Sequence, residues 1–143
     1  MNYKQLLIDN FVFKTSYVAQ FVPGMSVKET KDYISVDCGL PADTFNVITL
    51  LNNNLTEGIE KLYKEVFYYN QKKFPMSIWL WDEEQERDIK SELIKIGLKE
   101  AEQNIAMVAD LETISPPINM PVSFTIQEAS SSGKIKKIWR NIS

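Results

Sequence analysis

The sequence predicts an α/β domain with the element order α-β-β-α-β-α-β, followed by a strand-helix tail. Three observations carry that prediction. Apolar stretches with helical spacing alternate with short apolar runs of strand length. The run Phe74-Pro-Met-Ser-Ile-Trp-Leu-Trp81 is apolar on both faces, so as a strand it needs cover above and below. An acidic helix start, Gly97 and a second apolar run, Asn104-Ile-Ala-Met-Val-Ala-Asp-Leu111, then follow it, which reads as strand, helix, glycine stop, strand.

The first helix is predicted over residues 3–21, where Tyr3, Leu7, Phe11, Tyr17, Val18 and Phe21 fall at helical spacing and Leu6 and Phe13 broaden the stripe. Pro23-Gly24 ends it. After a polar stretch, Tyr33-Ile-Ser-Val-Asp-Cys38 alternates as a half-buried strand, and Gly39-Leu-Pro41-Ala-Asp43 supplies turn residues before a second apolar run over 45–51. Two antiparallel strands joined by a short loop are the simplest reading.

Asn54-Leu-Thr-Glu57 resembles a capping box, and Ile59, Leu62, Tyr63, Val66 and Phe67 follow it at helical spacing. The predicted helix runs for about four turns and is closed by Lys72-Lys73 and Pro75. In the next strand Phe74, Met76, Ile78 and Leu80 share one face while Trp79 and Trp81 occupy the other. Such a strand sits centrally in a sheet, and helices on either side of it in sequence favour parallel pairing. Asp82 with Gln85 caps the following helix, whose inner face is Ile89, Leu93 and Ile96. Gly97 is placed as the left-handed residue after it, with Leu98 folding back on Leu93. Residues 105–111 form the last strand, with Met107 and Val108 on opposite faces and the strand in the interior.

Three segments result: an α/β domain over 1–112, a linker over 113–121 that is rich in proline, and a tail over 122–143. In the tail Val122-Ser-Phe-Thr-Ile126 alternates as a strand, and Ile135, Ile138, Trp139 and Ile142 share a helix face. One strand and one short helix cannot bury both apolar faces alone. The tail is therefore expected to dock on the first domain, pair with another chain, or open a further domain.

Composition narrows the function. With 143 residues there is material for one domain with a real core and hardly for two. A charged fraction of 24% and a hydrophobic fraction of 44% match soluble globular proteins, so neither disorder nor a disulfide scaffold is indicated. No apolar run approaches the roughly 20 residues of a membrane span, and the N-terminus lacks the pattern of a signal peptide, so the expectation is a cytoplasmic protein with no membrane partner. A net charge of −3 and a pI near 5.1 argue against nucleic acid as a partner, since that requires clustered cations. The one basic cluster, Lys134-Ile-Lys-Lys137 with Arg140, reads as the solvated face of a short helix. There is no histidine and only one cysteine, which removes disulfides, the usual zinc sites and every dyad or triad built on imidazole. Cys38 ends an apolar strand and reads as a buried, inert thiol.

The element order resembles that of the GNAT superfamily of N-acetyltransferases, and within it the N-terminal, non-catalytic half of two-part members. The residues that carry the resemblance are the Gly39-Leu-Pro41 turn with Phe45-Asn-Val47, the Phe74-Pro-Met-Ser-Ile-Trp79 strand, Leu93 with Gly97-Leu98, and Met107 with Asp110-Leu111. It spans roughly residues 3–111 and implies a mixed β-sheet flanked by helices. It also implies that residues 122–143 open a second GNAT unit, which would be the partner of this one; the alternative partner is another copy of the chain, joined through that tail. Acetyltransferases of this type hold the pyrophosphate of acetyl-CoA with an Arg/Gln-x-x-Gly-x-Gly/Ala loop that opens a helix, where backbone N–H groups and the helix dipole face the anion. The corresponding junction here, Asn52-Asn-Asn-Leu-Thr-Glu-Gly58, has no such loop. The resemblance thus implies N-acetyltransferase chemistry for the whole assembly, with this chain alone inactive and no cofactor bound to it; acetyl-CoA would belong to the catalytic domain.

No catalytic residue is assigned. Glu65 with Tyr68 or Tyr69 on one helix offers the base and acid that acyl transfer requires, yet any amphipathic helix offers as much. Trp79 and Trp81 are the candidate substrate-binding residues, because two indoles on one strand face can stack a planar or cationic group; the competing reading is core under helices. Asp82-Glu-Glu-Gln-Glu86 could suggest a cation site, but its place at a helix N-terminus accounts for the acidity, and no metal is expected. The rival function is a free-standing binding or dimerisation module.

Overall fold

A computed structural model describes residues 2–51, 55, 58–81 and 87–109. The chain divides into two units, Met1–Val108 and Ala109–Ser143, and every element below belongs to the first. Helix α1 (Tyr3–Ser16) begins at Asn2, whose side chain accepts the Gln5 N–H at 3.2 Å, and passes into a short 3-10 turn (Val18–Gln20). The α-helix thus stops five residues short of Phe21. The predicted inner stripe holds in the middle, where Leu7 and Phe11 are half-buried, and is displaced at its ends: Tyr3, Tyr17, Val18 and Phe21 are exposed, whereas Ile8, Ser16 and Ala19 are buried. Ser16 and Ala19 are small enough to sit close against the sheet. The aromatics one step round the helix stay outside, Tyr17 stacking on Phe13 and Phe21 at 4.7 and 5.2 Å.

Strand β1 (Ser26–Glu29) lies in the polar stretch where sequence patterning predicts no element. It is an edge strand on which Val27 alone is half-buried, so it has no alternation to read. It pairs antiparallel with β2 (Tyr33–Asp37), which pairs antiparallel with β3 (Val47–Leu50), as predicted for these two. Strand β2 is not half-buried: all five residues are buried. Ile34 and Val36 pack with Ala19 and Val12 of the α1 segment on one face. Tyr33, Ser35 and Asp37 meet helix α2 (Ile59–Lys72) on the other.

Helix α2 starts at Ile59 with Gly58 at its N-cap and no side-chain cap; Asn54, Thr56 and Glu57 of the predicted capping box lie outside the described residues. Leu62, Glu65, Val66 and Tyr69 form its buried face, whereas Phe67, one step round, is exposed. The helix ends at Lys73, which takes the left-handed conformation while Phe74 N–H reaches back to Tyr69 O at 3.0 Å. The chain then enters β4 (Ser77–Trp79), parallel to β3 as predicted. The pairing is short. Among the described residues the sheet order is β1-β2-β3-β4, so β4 is the terminal strand and not a central one. The split between its faces is as the sequence predicts: Phe74, Met76, Ile78 and Leu80 pack on the main core, and Trp79 and Trp81 lie against Phe11 of α1.

Helix α3 (Arg87–Lys95) buries Ile89 and Leu93 in the same core as Leu62, Val66 and Tyr69 of α2, while Ile96 stays exposed just past its end. Asp82 and Gln85 lie outside the described residues. The helix ends in the Schellman arrangement expected at Gly97: Gly97 N–H donates to Ile94 O at 3.0 Å and Leu98 N–H to Leu93 O at 3.1 Å. The strand predicted over 105–111 does not form over residues 105–109, where Ile105 is 89% and Met107 86% exposed; residues 110 and 111 lie outside the described part. Alternating apolar residues mark a segment able to pair, but they do not supply the neighbour whose N–H and C=O groups it needs. The linker and tail over 113–143 also lie outside the described residues.

Asn46, with no exposed surface, ties the β2–β3 loop to the start of β4. Its Oδ1 accepts the Cys38 N–H at 3.0 Å, its Nδ2 donates to Leu40 O at 2.8 Å and Pro75 O at 3.1 Å, and its carbonyl accepts the Ser77 N–H at 3.0 Å. Every polar atom of the side chain has a partner, which is what permits full burial.

Two left-handed glycines separate two kinds of backbone constraint. A Cβ on Gly97 (φ +96°) would meet open space, whereas one on Gly39 (φ +74°) would stand 2.6 Å from the Gly24 carbonyl oxygen. Gly97→Ala is expected to cost about 1–2 kcal/mol from the left-handed conformation alone. Gly39→Ala should cost more, because a backbone carbonyl must also move. Urea unfolding of the two variants checks this, and an equal or reversed order would contradict the loop contact.

Candidate functional site

The strand β2 face that meets α2 carries three polar side chains at alternate positions, and α2 answers each of them. Tyr33 at one end directs its hydroxyl toward Glu65 Oε2 and Lys61 O, each at a long 3.4 Å. Glu65 is itself buried and forms an ion pair with Lys28 of β1. Its hydrogen bond holds the Lys28 ammonium above the usual lysine range. Burial and then the charge of Glu65 push the Tyr33 phenol up.

Ser35, in the middle, lies 2.8 Å from the hydroxyl of Tyr69, a residue with no exposed surface. Tyr69 has one O–H, and it donates to Val36 O at 2.9 Å. Ser35 must then be the donor in their shared bond. Burial pushes the Tyr69 phenol above the ordinary tyrosine range, so it stays neutral and serves as a hydrogen-bonding post.

Asp37, at the far end, makes the densest cluster. Its Oδ2 accepts from the Tyr68 hydroxyl and from Lys72 Nζ, each at 2.6 Å, and its Oδ1 accepts the Gly39 N–H at 2.7 Å. The Lys72 ammonium also lies 4.4 Å from the Tyr68 ring centre and 5.5 Å from that of Phe74. The carboxylate is buried, whereas Tyr68 is 38% exposed and the Lys72 side chain 39%. A cation and a phenol therefore reach water above an anchored anion. Burial acts to raise the Asp37 carboxyl, but the hydrogen bonds from Lys72, Tyr68 and Gly39 outweigh it and hold the carboxyl below the usual aspartate value. The bond to Asp37 raises Lys72 in turn.

This cluster was hidden in the sequence. Lys72 follows Tyr68 by four residues, so the two share a helix face, but their common partner lies 31 and 35 residues earlier in the chain. Of the acid–base candidates on α2, Glu65 and Tyr69 are buried on separate partners and Tyr68 alone reaches solvent beside a carboxylate. Trp79 and Trp81 lie on the opposite, α1-facing side of the sheet. Both are half-buried, with ring centres 4.6 and 5.2 Å from Phe11, and the Trp81 indole N–H donates to Leu50 O at 2.6 Å. Cys38 is half-buried rather than buried, its thiol directed at Leu40 O at 3.4 Å.

A shallow groove of about 310 Å³ lies between α2 and the end of α3, lined by Tyr63, Val66, Phe67 and Ile96 with Lys64 and Asn70. Its volume is at the low end for a small-molecule site, and its walls are mainly apolar. Among the described residues no group of acidic or cysteine side chains could hold a metal ion, and no helix is long and apolar enough to cross a membrane. Comparison with family models, with curated proteins and with solved structures gives no match.

Two substitutions separate the roles of these anchors. Tyr69→Phe leaves the buried Ser35 hydroxyl without its acceptor and should cost about 2 kcal/mol in urea unfolding. Asp37→Asn tests the ionised cluster. Because the folded carboxyl titrates below its unfolded value of 3.8, its contribution is present above that pH and is lost as pH falls through the lower folded value. The unmodified chain should lose stability more steeply than Asp37→Asn as pH is taken from 5 to 2; parallel curves would remove Asp37 from the acid response.

Proposed function

We propose that this chain is a non-catalytic α/β unit of the acetyltransferase-like kind, which packs against a catalytic domain and shapes the pocket for its substrate. The observation that carries this reading is the start of α2. In the family the chain resembles, that strand-to-helix junction cradles the cofactor pyrophosphate with closely spaced glycines. Here Gly58 stands alone at the N-cap, and the Glu60 carboxylate folds back so that Oε2 lies 2.7 Å from where a Cβ on Gly58 would be. A carboxylate already occupies the positive end of the helix, and a phosphate brought there would meet like charge. The residues present do not fit acetyl-CoA, so no catalytic step is routed through it.

Two further features support the reading. The α2 crossover joins parallel strands β3 and β4 beside an antiparallel pair, a mixed sheet of the kind the resemblance implies. Two buried carboxylates, Asp37 and Glu65, each hold α2 to the sheet through a lysine, which suits a scaffold. Titration of the chain with acetyl-CoA, followed by calorimetry and thermal melting, tests the proposal. No heat and no shift in melting temperature are expected at millimolar ligand. A saturable heat, retained when Glu60 is intact, would overturn it.

A further inference from the structure

The groove between α2 and the end of α3 pairs an apolar wall with an unused cation. Val66 is buried there, whereas Phe67 is 59% and Ile96 39% exposed, so two large apolar side chains of the lining meet water. Lys64, Phe67 and Asn70 follow one another at three-residue spacing on one side of α2, which sets Lys64 and Asn70 about 9 Å apart along the helix with Phe67 between them. Neither the Lys64 ammonium nor the Asn70 carboxamide has a partner among the described residues. The neighbouring acids are engaged elsewhere: Glu92 accepts the Tyr63 hydroxyl at 2.9 Å and pairs with Lys95, and Glu60 turns back on Gly58. No acid lines the groove itself, so the charge of Lys64 stands uncompensated.

We infer that this groove binds a small carboxylate with an apolar body, the anion at Lys64 and the body along Phe67 and Ile96. Charge complementarity selects that class. An uncharged apolar ligand would leave Lys64 unused, and a cation would be repelled by it. A compact anion such as inorganic phosphate would leave the apolar wall in water. Asn70, with a donor and an acceptor, is placed to bond a polar group at the far end of the ligand. The inference stands apart from the acetyltransferase-like reading, since it needs neither a phosphate at the start of α2 nor any cofactor, and the two can fail separately.

Titration of the full chain with 4-phenylbutyrate, followed through backbone amide shifts by NMR, tests it, with 4-phenylbutan-1-ol and 4-phenylbutylamine as the neutral and cationic counterparts. Saturable shifts of the Phe67, Asn70 and Ile96 amides are expected with the carboxylate, half-complete in the low millimolar range that suits a ligand of this size on an open surface. The alcohol should bind about two- to fivefold more weakly, which is what one exposed charge pair contributes, and the amine more weakly still. Lys64→Gln should abolish the preference for the carboxylate and Lys64→Arg should keep it, both residues being compatible with an exposed helix position. Phe67→Ser should weaken all three probes. No saturable shift, equal binding of the alcohol or the amine, or a preference that survives Lys64→Gln overturns the inference. Movement of the same amides with protein concentration alone would assign the groove to a second copy and overturn it as well.

Discussion

Strand β2 has a helix on each face, and no side chain along it reaches bulk water. That single constraint organises the rest of the unit. On the α1 side it is met by apolar packing of Ile34 and Val36. On the α2 side the strand presents Tyr33, Ser35 and Asp37, whose polar atoms would be costly to bury unpaired. Helix α2 must therefore arrive with matching groups in register, and Glu65, Tyr69, Tyr68 and Lys72 provide them over two turns. Hydrophobic contact through Leu62 and Val66 brings the helix to the sheet, and the polar contacts decide where along the strand it stops.

The same logic accounts for the state of the ionisable groups along this face. A catalytic base needs a free lone pair and a perturbed affinity for protons near the working pH. Asp37 has the opposite: its hydrogen bonds hold the ionised form, and its strongest partner is a cation. Tyr69 is locked neutral, and Glu65 is engaged by Lys28. The exposed chemistry lies at the rim, in Tyr68 and Lys72, and across the sheet the tryptophans are held by Phe11 and by a backbone carbonyl. Among the described residues, the polar groups of the β2 and α2 face are thus consumed by the unit's own assembly.

Much of this was legible in the sequence where the signal is local. The Gly97-Leu98 helix ending, the split of Phe74, Met76, Ile78 and Leu80 from Trp79 and Trp81, the antiparallel pair and the Ile89 and Leu93 face all rest on interactions within about five residues or on the two-residue period of a strand. The readings that failed depend on what a segment meets. The α1 stripe holds at Phe11, which packs on Trp79 and Trp81, and fails farther along, where small Ser16 and Ala19 are buried and Tyr17 and Phe21 are not. Strand β1 could not be seen because an edge strand needs no apolar alternation, and residues 105–109 carry such a pattern without a described partner.

The sequence by itself determined which stretches become helix or strand over most of the unit, where α3 stops, and that these 143 residues hold no imidazole and no second cysteine for an internal disulfide. Only the tertiary structure decided that Ser16 and Ala19 are buried at the end of the α1 segment, that both faces of β2 are covered, and that Asp37 would be shared by Tyr68 and Lys72. The physical reason is range. Dihedral preferences, caps and periodicity act between near neighbours along the chain, whereas burial and charge pairing depend on residues that only folding brings within a few ångströms.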